Sequence, residues 1–421
     1  MAEHTIQELK IRQTLPLDVK VRMTEQRIRE WVSEFGIDGV YVSFSGGKDS
    51  TVLLHIARRI YPDIKAVFVD TGLEYPEIRQ FVKTFDNVDW IKPKMNFKQV
   101  IEKYGYPFIS KEVSECVWGA RKYLRSIIAD GTIITDRQTD RQTDRQTDRP
   151  YKYFYDKVCG TGKYSKFSVS PLSENDRGGI DREKLAEILN KRMQNREGGN
   201  NQRLAIMLGM LTKESTIQAN IPDGERSTFS QEKYKFMLDA PFEISNKCCN
   251  VMKKAPAHEY NKKTGRKPML ATMADESTLR LQKWLQNGCN GFEMKSPVST
   301  PMAFWTEQDI LKYIKDNGVE ICSVYGEIVT DYCGEINGQM DICELGLAED
   351  TRPLKTTGCK RTGCMFCGFG CHLNNDERFT KMKETHPKQY DYIMRPKEQG
   401  GLNYKEVIDW INEHGNLNIK Y

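Results

Sequence analysis

Apolar positions along the first hundred residues switch between two periods. In residues 24–35, Ile28, Trp31, Val32 and Phe35 recur at spacings of three and four, which predicts an amphipathic helix stopped by Gly36. Residues 39–44 form a short β-rich run that ends at a glycine pair, and residues 50–60 return to helical spacing with Val52, Leu53, Ile56, Ala57 and Ile60. A second β-rich run, 65–70, leads into Thr71-Gly72 and a helical stretch from Pro76, and residues 88–91 supply a third strand. Strands alternating with helices in this way predict an α/β fold, a Rossmann-like parallel sheet with helices on both faces. Near the other end of the chain, residues 404–411 read as an ordinary amphipathic helix.

The pattern breaks after Asp130. Asp-Arg-Gln-Thr is repeated three times over residues 136–147, with no apolar face to bury, and is expected to be a solvated spacer. The codons GAC, AGA, CAG and ACA spell this cycle when a GACA unit is read repeatedly, so the alternative is a slippable tract that switches the reading frame. The stretch to about residue 230 is rich in charge, Gly and Asn apart from an apolar run at 204–211, and residues 130–235 are expected to be an insertion.

Composition adds limits. With 38% hydrophobic and 29% charged residues, and no apolar run near the roughly 20 residues of a membrane helix, no membrane association is expected. The first residues carry acidic groups and fit neither a secretory signal nor a transit peptide, so a cytoplasmic location is expected. A net charge of +5 is too mild to point to nucleic acid. Lys253-Lys254 and the basic residues from Lys262 to Lys267 read as charged surface, with a phosphate-backbone track as the alternative. Twelve cysteines in a reducing compartment suggest metal or redox chemistry.

Ser45-Gly46-Gly47-Lys48-Asp49-Ser50 lies between the first predicted strand and its helix, where unpaired N–H groups and the positive end of the helix dipole suit phosphate. Gly46 and Gly47 allow close approach. Lys48 adds a charge, Ser45, Ser50 and Thr51 offer hydroxyls, and Asp49 suits Mg²⁺ or a phosphate-bound water. It is not a Walker A loop, because Asp49 follows Gly47-Lys48.

This hexapeptide resembles the PP-loop of ATP pyrophosphatases, the superfamily that includes phosphoadenosine phosphosulfate (PAPS) reductases and ATP-cleaving sulfurylases. Residues 69–77 look like the second family motif, and the carboxyl ends of neighbouring strands would bring both motifs to one crevice. Residues 247–256, the run Glu276-Ser277-Thr278-Leu279-Arg280 and residues 305–310 add to the resemblance, which covers roughly 24–130 and 235–320. Thr306 and Asp309 also suit a helix cap, and that plain reading is preferred for residues 305–309. The resemblance implies nucleotide contacts from Ser43, Ser45, Gly46, Gly47, Lys48, Asp49, Ser50, Thr51, Asp70, Thr71 and Gly72, and catalytic roles for Lys48, Asp49 and Arg280. It also implies an N-terminal helical segment (1–36), a nucleotide-binding domain (37–295) carrying the insertion, and a smaller helical and Cys-rich region (296–421).

Cys359, Cys364, Cys367 and Cys371 place four thiols within thirteen residues among glycines, a spacing that suits a metal. Cys248 and Cys249 with Cys364 and Cys367 resemble the CC…CxxC arrangement that holds a [4Fe–4S] cluster in adenylylsulfate reductases. That set is preferred, with Cys359 and Cys371 as alternates and Zn²⁺ as the alternative metal. Cys371-His372 could instead offer a nucleophile beside a base.

Three features separate the chain from simple PAPS or adenylylsulfate reduction. The loop keeps the complete SGGKDS form, no cysteine follows Cys371, and Met273 stands where those reductases are expected to present a sulfate-binding Arg. The resemblance therefore implies attack on the α-phosphate of Mg²⁺-bound ATP with loss of pyrophosphate, followed by sulfur transfer. The look-alikes that combine an intact loop with cysteine-bound iron, tRNA thiolases and the ATP-pyrophosphatase component of DNA phosphorothioation, imply a nucleic-acid acceptor and a sulfur donor such as a cysteine desulfurase. A thiol-dependent reductase that yields sulfite and a nucleotide-sensing regulator without turnover are the competing expectations.

Overall fold

Three short strands open the architecture: β1 (Val40–Ser43), β2 (Ala66–Val69) and β3 (Val88–Ile91). The computed structural model describes residues 4–129, 182–194, 200–222, 224–331, 352–373 and 376–421, so the Asp-Arg-Gln-Thr repeat lies outside the described residues. The chain divides into two compact units, Met1–Asn96 with Val251–Met365 and Phe97–Asn250 with Phe366–Tyr421. Both boundaries expected from sequence, at 36/37 and 295/296, fall inside the first unit. The chain leaves after β3 and returns before its sheet is complete, which sequence patterning does not register.

In the first unit the sheet is finished by β5 (Lys267–Met269), β6 (Asn290–Gly291) and β7 (Val298–Ser299), whereas β4 (Phe108–Ile109) belongs to the second unit. The strand order is β3-β2-β1-β5-β7-β6; every pairing is parallel except β6 with β7. From β1 the chain builds outward through β2 and β3, and β5 then adds to the opposite side of β1. That reversal leaves a crevice at the carboxyl ends of β1 and β5, the usual ligand position in an open α/β sheet.

The helices flanking this sheet follow the apolar periodicity. Helix α1 (Ile6–Gln13) precedes α2 (Leu17–Phe35), which starts directly after Pro16, earlier than expected, and buries Ile28, Trp31 and Val32 in the same core as the strands. Residues 1–36 are therefore part of the unit rather than a segment apart. The side chain of Trp305, fully buried, donates from Nε1 to Thr24 Oγ1 at 2.9 Å. Thr306 and Asp309 form the expected capping box on helix Glu307–Asn317. Asp309 also accepts from the buried Lys20 Nζ at 2.8 Å through both oxygens, tying α2 to that helix. Strands β8 (Ile328–Thr330) and β9 (Leu354–Thr356) pair antiparallel in the same unit.

In the second unit β4 pairs in parallel with β10 (Gly368–Phe369). Arg121, on helix Lys111–Ala129, is wholly buried and donates to the carbonyls of Met237, Leu238, Ala240 and Phe242. The described part of the expected insertion is packed: helices Arg182–Gln194 and Asn200–Met207 bury Leu185, Leu189, Leu204 and Met207, followed by buried Leu208, Met210 and Leu211. The apolar run at 204–211 signals this, and the surrounding polar composition masks it. The last helix runs Tyr404–Gly415, close to expectation. Among the described residues no helix is long and apolar enough to cross a membrane.

The turn from β1 into α3 (Lys48–Ile60) sets the site. Gly46 has φ +70°, and a Cβ there would lie 2.8 Å from Val82 and 2.9 Å from Ile78 on α4 (Pro76–Lys83). Gly46→Ala is expected to lower stability by about 1–3 kcal/mol from backbone strain alone, read from urea melts. Asp309→Ala removes a cap and leaves Lys20 uncompensated in the interior; a loss of about 3–5 kcal/mol is expected from the same measurement.

Candidate functional site

Hydroxyls fold the 45–50 turn onto itself. Ser50 Oγ donates to the Gly47 carbonyl at 2.9 Å and accepts from Ser45 N–H at 3.2 Å, while Thr51 Oγ1 donates to the same carbonyl at 3.1 Å. Thr51 thus helps to start α3. Gly47 caps α3 with no side-chain hydrogen bond, so the first turn presents backbone donors and the positive helix end. One of those donors is already occupied: Lys48 N–H donates to the Tyr325 hydroxyl at 3.0 Å.

An open cleft of about 290 Å³ lies over this turn. It is lined by Ser43, Ser45, Gly47, Lys48, Asp49 and Ser50 from the β1–α3 side, and by Leu270 to Thr272, Glu276, Arg280, Tyr325, Arg361 and Thr362 from the other. The cleft sits where the strand order reverses, beyond β1 and β5. Lys48 is only 2% exposed, and its Nζ is 3.3 Å from Asp49 Oδ1 and 3.4 Å from Glu307 Oε1. The Asp49 contact is an ion pair without hydrogen-bond geometry, since Oδ1 is buried with no hydrogen-bond partner. The Tyr325 ring centroid is 5.9 Å from the same ammonium. Burial pushes the Tyr325 phenol up to about 12, so it stays protonated, and its oxygen is 2.7 Å from Thr362 Oγ1.

On the far wall Arg280 pairs with Glu276, and Arg361 Nη1 lies 3.5 Å from the other Glu276 oxygen. Burial lowers the Arg280 pKa, and the neighbouring Arg361 lowers it further while Asp49 opposes. Glu276 is fixed by the Met273 N–H at 3.0 Å. The cleft therefore holds three cations and matching carboxylates, an arrangement able to bind a polyphosphate and a divalent ion.

The second motif is placed differently. Asp70 is buried and accepts from Arg79 Nη2 at 2.9 Å, and Thr71 binds Glu74 through its N–H and hydroxyl, the latter at 2.6 Å. Gly72 takes φ +73° in this turn. None of these three lines the cleft. β2 contributes Val67, Phe68 and Val69, with Glu74, to an adjoining cavity that shares Ser43, Ser45, Leu270 and Thr362 with the first and extends past Lys253, Lys254 and His258.

The cysteines divide between the units. Cys359 and Cys364 belong to the first, and Cys248, Cys249, Cys367 and Cys371 to the second. Within the second unit, Cys249 and Cys371 each interact electrostatically with Cys367, and Cys248, Cys367 and Cys371 all act on the buried Tyr404 hydroxyl. Soft sulfur donors suit iron–sulfur or zinc chemistry. Among the described residues, however, no three His, Cys, Asp or Glu side chains are gathered closely enough to hold a metal ion. The pair Cys371-His372 is not arranged as nucleophile and base: burial pushes the Cys371 thiol up to about 12, and His372 Nε2 is 3.1 Å from the Tyr234 hydroxyl.

Sequence reasoning missed Glu307, Tyr325, Arg361 and Thr362 as parts of the site. Glu307 stood inside the motif read as a cap, and Arg361-Thr362 stood between two cysteines read as metal ligands. For Tyr325 no sequence signal existed.

Among relatives, an uncharacterised protein of Methanocaldococcus jannaschii is 40% identical over 73 residues, covering 16% of this chain and 18% of that protein. A phosphoadenosine 5'-phosphosulfate reductase of Xylella fastidiosa is 35% identical over 86 residues, covering 20% of this chain and 34% of the reductase. The matched segments thus span about a third or less of these relatives' own length. The crystal structure of a phosphoadenylyl-sulfate reductase from Candida auris, a phosphate complex, aligns with a TM-score of 0.30 at 11% identity, over 71% of this chain and 82% of that one. The model of the phosphoadenosine phosphosulfate reductase domain matches residues 39–125 and 202–368, well over half of the chain, and its second block begins within the stretch expected to be inserted. The chain belongs to the phosphoadenosine phosphosulfate reductase domain family.

Proposed function

We propose that the protein binds Mg²⁺-ATP in the 45–50 cleft and cleaves it between the α- and β-phosphates, releasing pyrophosphate and leaving an adenylylated intermediate for sulfur transfer. The observation that carries this reading is the complete loop with its buried Lys48, facing Arg280 and Arg361 across a single cleft. A nucleophile forms a bond to the α-phosphorus, the bond to the bridging oxygen breaks, and pyrophosphate departs with the electron pair. Lys48, Arg280 and the first-turn N–H groups of α3 would neutralise the charge that develops on the phosphates, and Asp49 would hold Mg²⁺.

The acceptor in this reading is nucleic acid, with sulfur supplied by a donor protein such as a cysteine desulfurase, in the reducing cytoplasm. The cysteine group, with Cys248, Cys249, Cys364 and Cys367 as the preferred set and Cys359 and Cys371 as alternates, would carry a [4Fe–4S] cluster or Zn²⁺. No step is routed through it, since its ligands are not gathered in a metal geometry.

A second reading, reduction of an adenylated sulfate to sulfite, is favoured by the reductases among the relatives. It requires a thiol reductant and no ATP cleavage. Incubating anaerobically purified protein with ATP, PAPS or adenylylsulfate separates the two: pyrophosphate from ATP supports the first, and sulfite without ATP cleavage replaces it with the second. Nucleotide binding with neither product would leave a sensor. In the first case Lys48→Ala is expected to lower pyrophosphate release by about 10²–10³-fold, with the circular dichroism and metal content of the wild type; full turnover in the variant would refute the role.

A further inference from the structure

We propose that Arg361 contacts substrate directly, recognising the phosphates beyond the first, and so makes the cleft select a nucleoside triphosphate or pyrophosphate over a nucleoside monophosphate. This rests on the nucleotide reading of the cleft but not on any reaction there. Arg361 and Thr362 line the same cleft as Lys48, Asp49 and Arg280. Their segment is held firmly against the phosphate turn. Gly358 N–H donates to the Tyr325 carbonyl at 2.8 Å, Cys359 N–H donates to that of Val324 at 2.9 Å, and Tyr325 in turn accepts from Lys48 N–H. A Cβ on Gly358 would meet the Tyr325 backbone at 2.8 Å, so the approach is as close as backbone permits.

The Tyr325 hydroxyl accepts from Lys48 N–H and shares a hydrogen bond of 2.7 Å with Thr362 Oγ1, which holds the residue next to Arg361 at the wall of the cleft. On the other side, Arg280 and Arg361 share one carboxylate, Glu276, and repel one another. Glu276 is pinned by the Met273 N–H, whereas the Arg361 side chain is 58% exposed and free to turn. Arg361 is thus an arginine resting on an internal carboxylate beside a phosphate turn. It gains by exchanging that partner only for a ligand with more negative charge than Lys48 and Arg280 already take up, which is the difference between a triphosphate and a monophosphate.

Equilibrium binding of ATP, pyrophosphate and AMP, each with Mg²⁺, to the full chain and to Arg361→Gln and Arg361→Lys by titration calorimetry tests this. Arg361→Gln is expected to weaken ATP and pyrophosphate by about tenfold or more, with AMP changed less than about twofold and part of the loss recovered in Arg361→Lys. Equal weakening of AMP and ATP, unchanged ATP binding, or a wild type with no preference for ATP over AMP would each overturn the proposal. Because Arg361 is on the surface, the thermal midpoint should not move, and a variant whose midpoint falls with its ATP affinity would count against a contact role. A wild type that binds ATP through Arg361 yet releases no pyrophosphate would defeat the proposed reaction while leaving this inference standing.

Discussion

Lys48 carries a full charge at a position where almost none of its surface meets water, and the elements around it are arranged to meet that demand. An ammonium taken out of water costs several kcal/mol unless paired. Here the compensation comes from three directions: Asp49 on the same helix, Glu307 at the start of helix Glu307–Asn317, and the face of Tyr325. The same helix start also serves Lys20 through Asp309. One acidic first turn, itself favourable against the helix dipole, therefore anchors two buried lysines, one for packing and one for the cleft. The 45–50 turn and the N-terminal helix are coupled through it, so the cleft depends on residues far from it in sequence.

What sequence revealed and what it hid follow from this geometry. The β1–turn–α3 unit was legible because a change of apolar period brackets two glycines and a lysine, and one of those glycines, Gly46, has no permissible substitute in its packed left-handed conformation. The capping role of Thr306 and Asp309 was legible too, since three-residue spacing fixes it. Glu307 was not, because a cap accounts for its neighbours completely and the direction of an intervening side chain depends on tertiary packing. Asp70 and Thr71 follow β2 as expected, and local bonds to Arg79 and Glu74 orient them, while Asp70 Oδ1 stays buried without a hydrogen-bond partner. The interleaving of the two units was invisible because periodicity registers an element and not the sheet to which it returns. The helices at 182–194 and 200–207 were obscured by their polar faces, even though each contributes leucines to a core.

Family membership limits the chemistry less than the cleft does. Membership of the phosphoadenosine phosphosulfate reductase domain family goes with an α/β sheet; the bond that breaks depends on where charge is stabilised. In reduction of an adenylated sulfate, a thiol takes the sulfonyl group at sulfur, the S–O bond breaks and the nucleotide phosphate departs with the electron pair, so charge grows on that phosphate. In cleavage of ATP, pyrophosphate leaves with growing charge, and cations placed around it act where the charge appears. The two guanidinium groups sharing Glu276 opposite Lys48 can meet phosphate charge in either case. Cations that serve binding but not the bond-breaking step would lower KM alone, so the way loss of Arg280 divides between kcat and KM tells whether that guanidinium acts on the bond-breaking step.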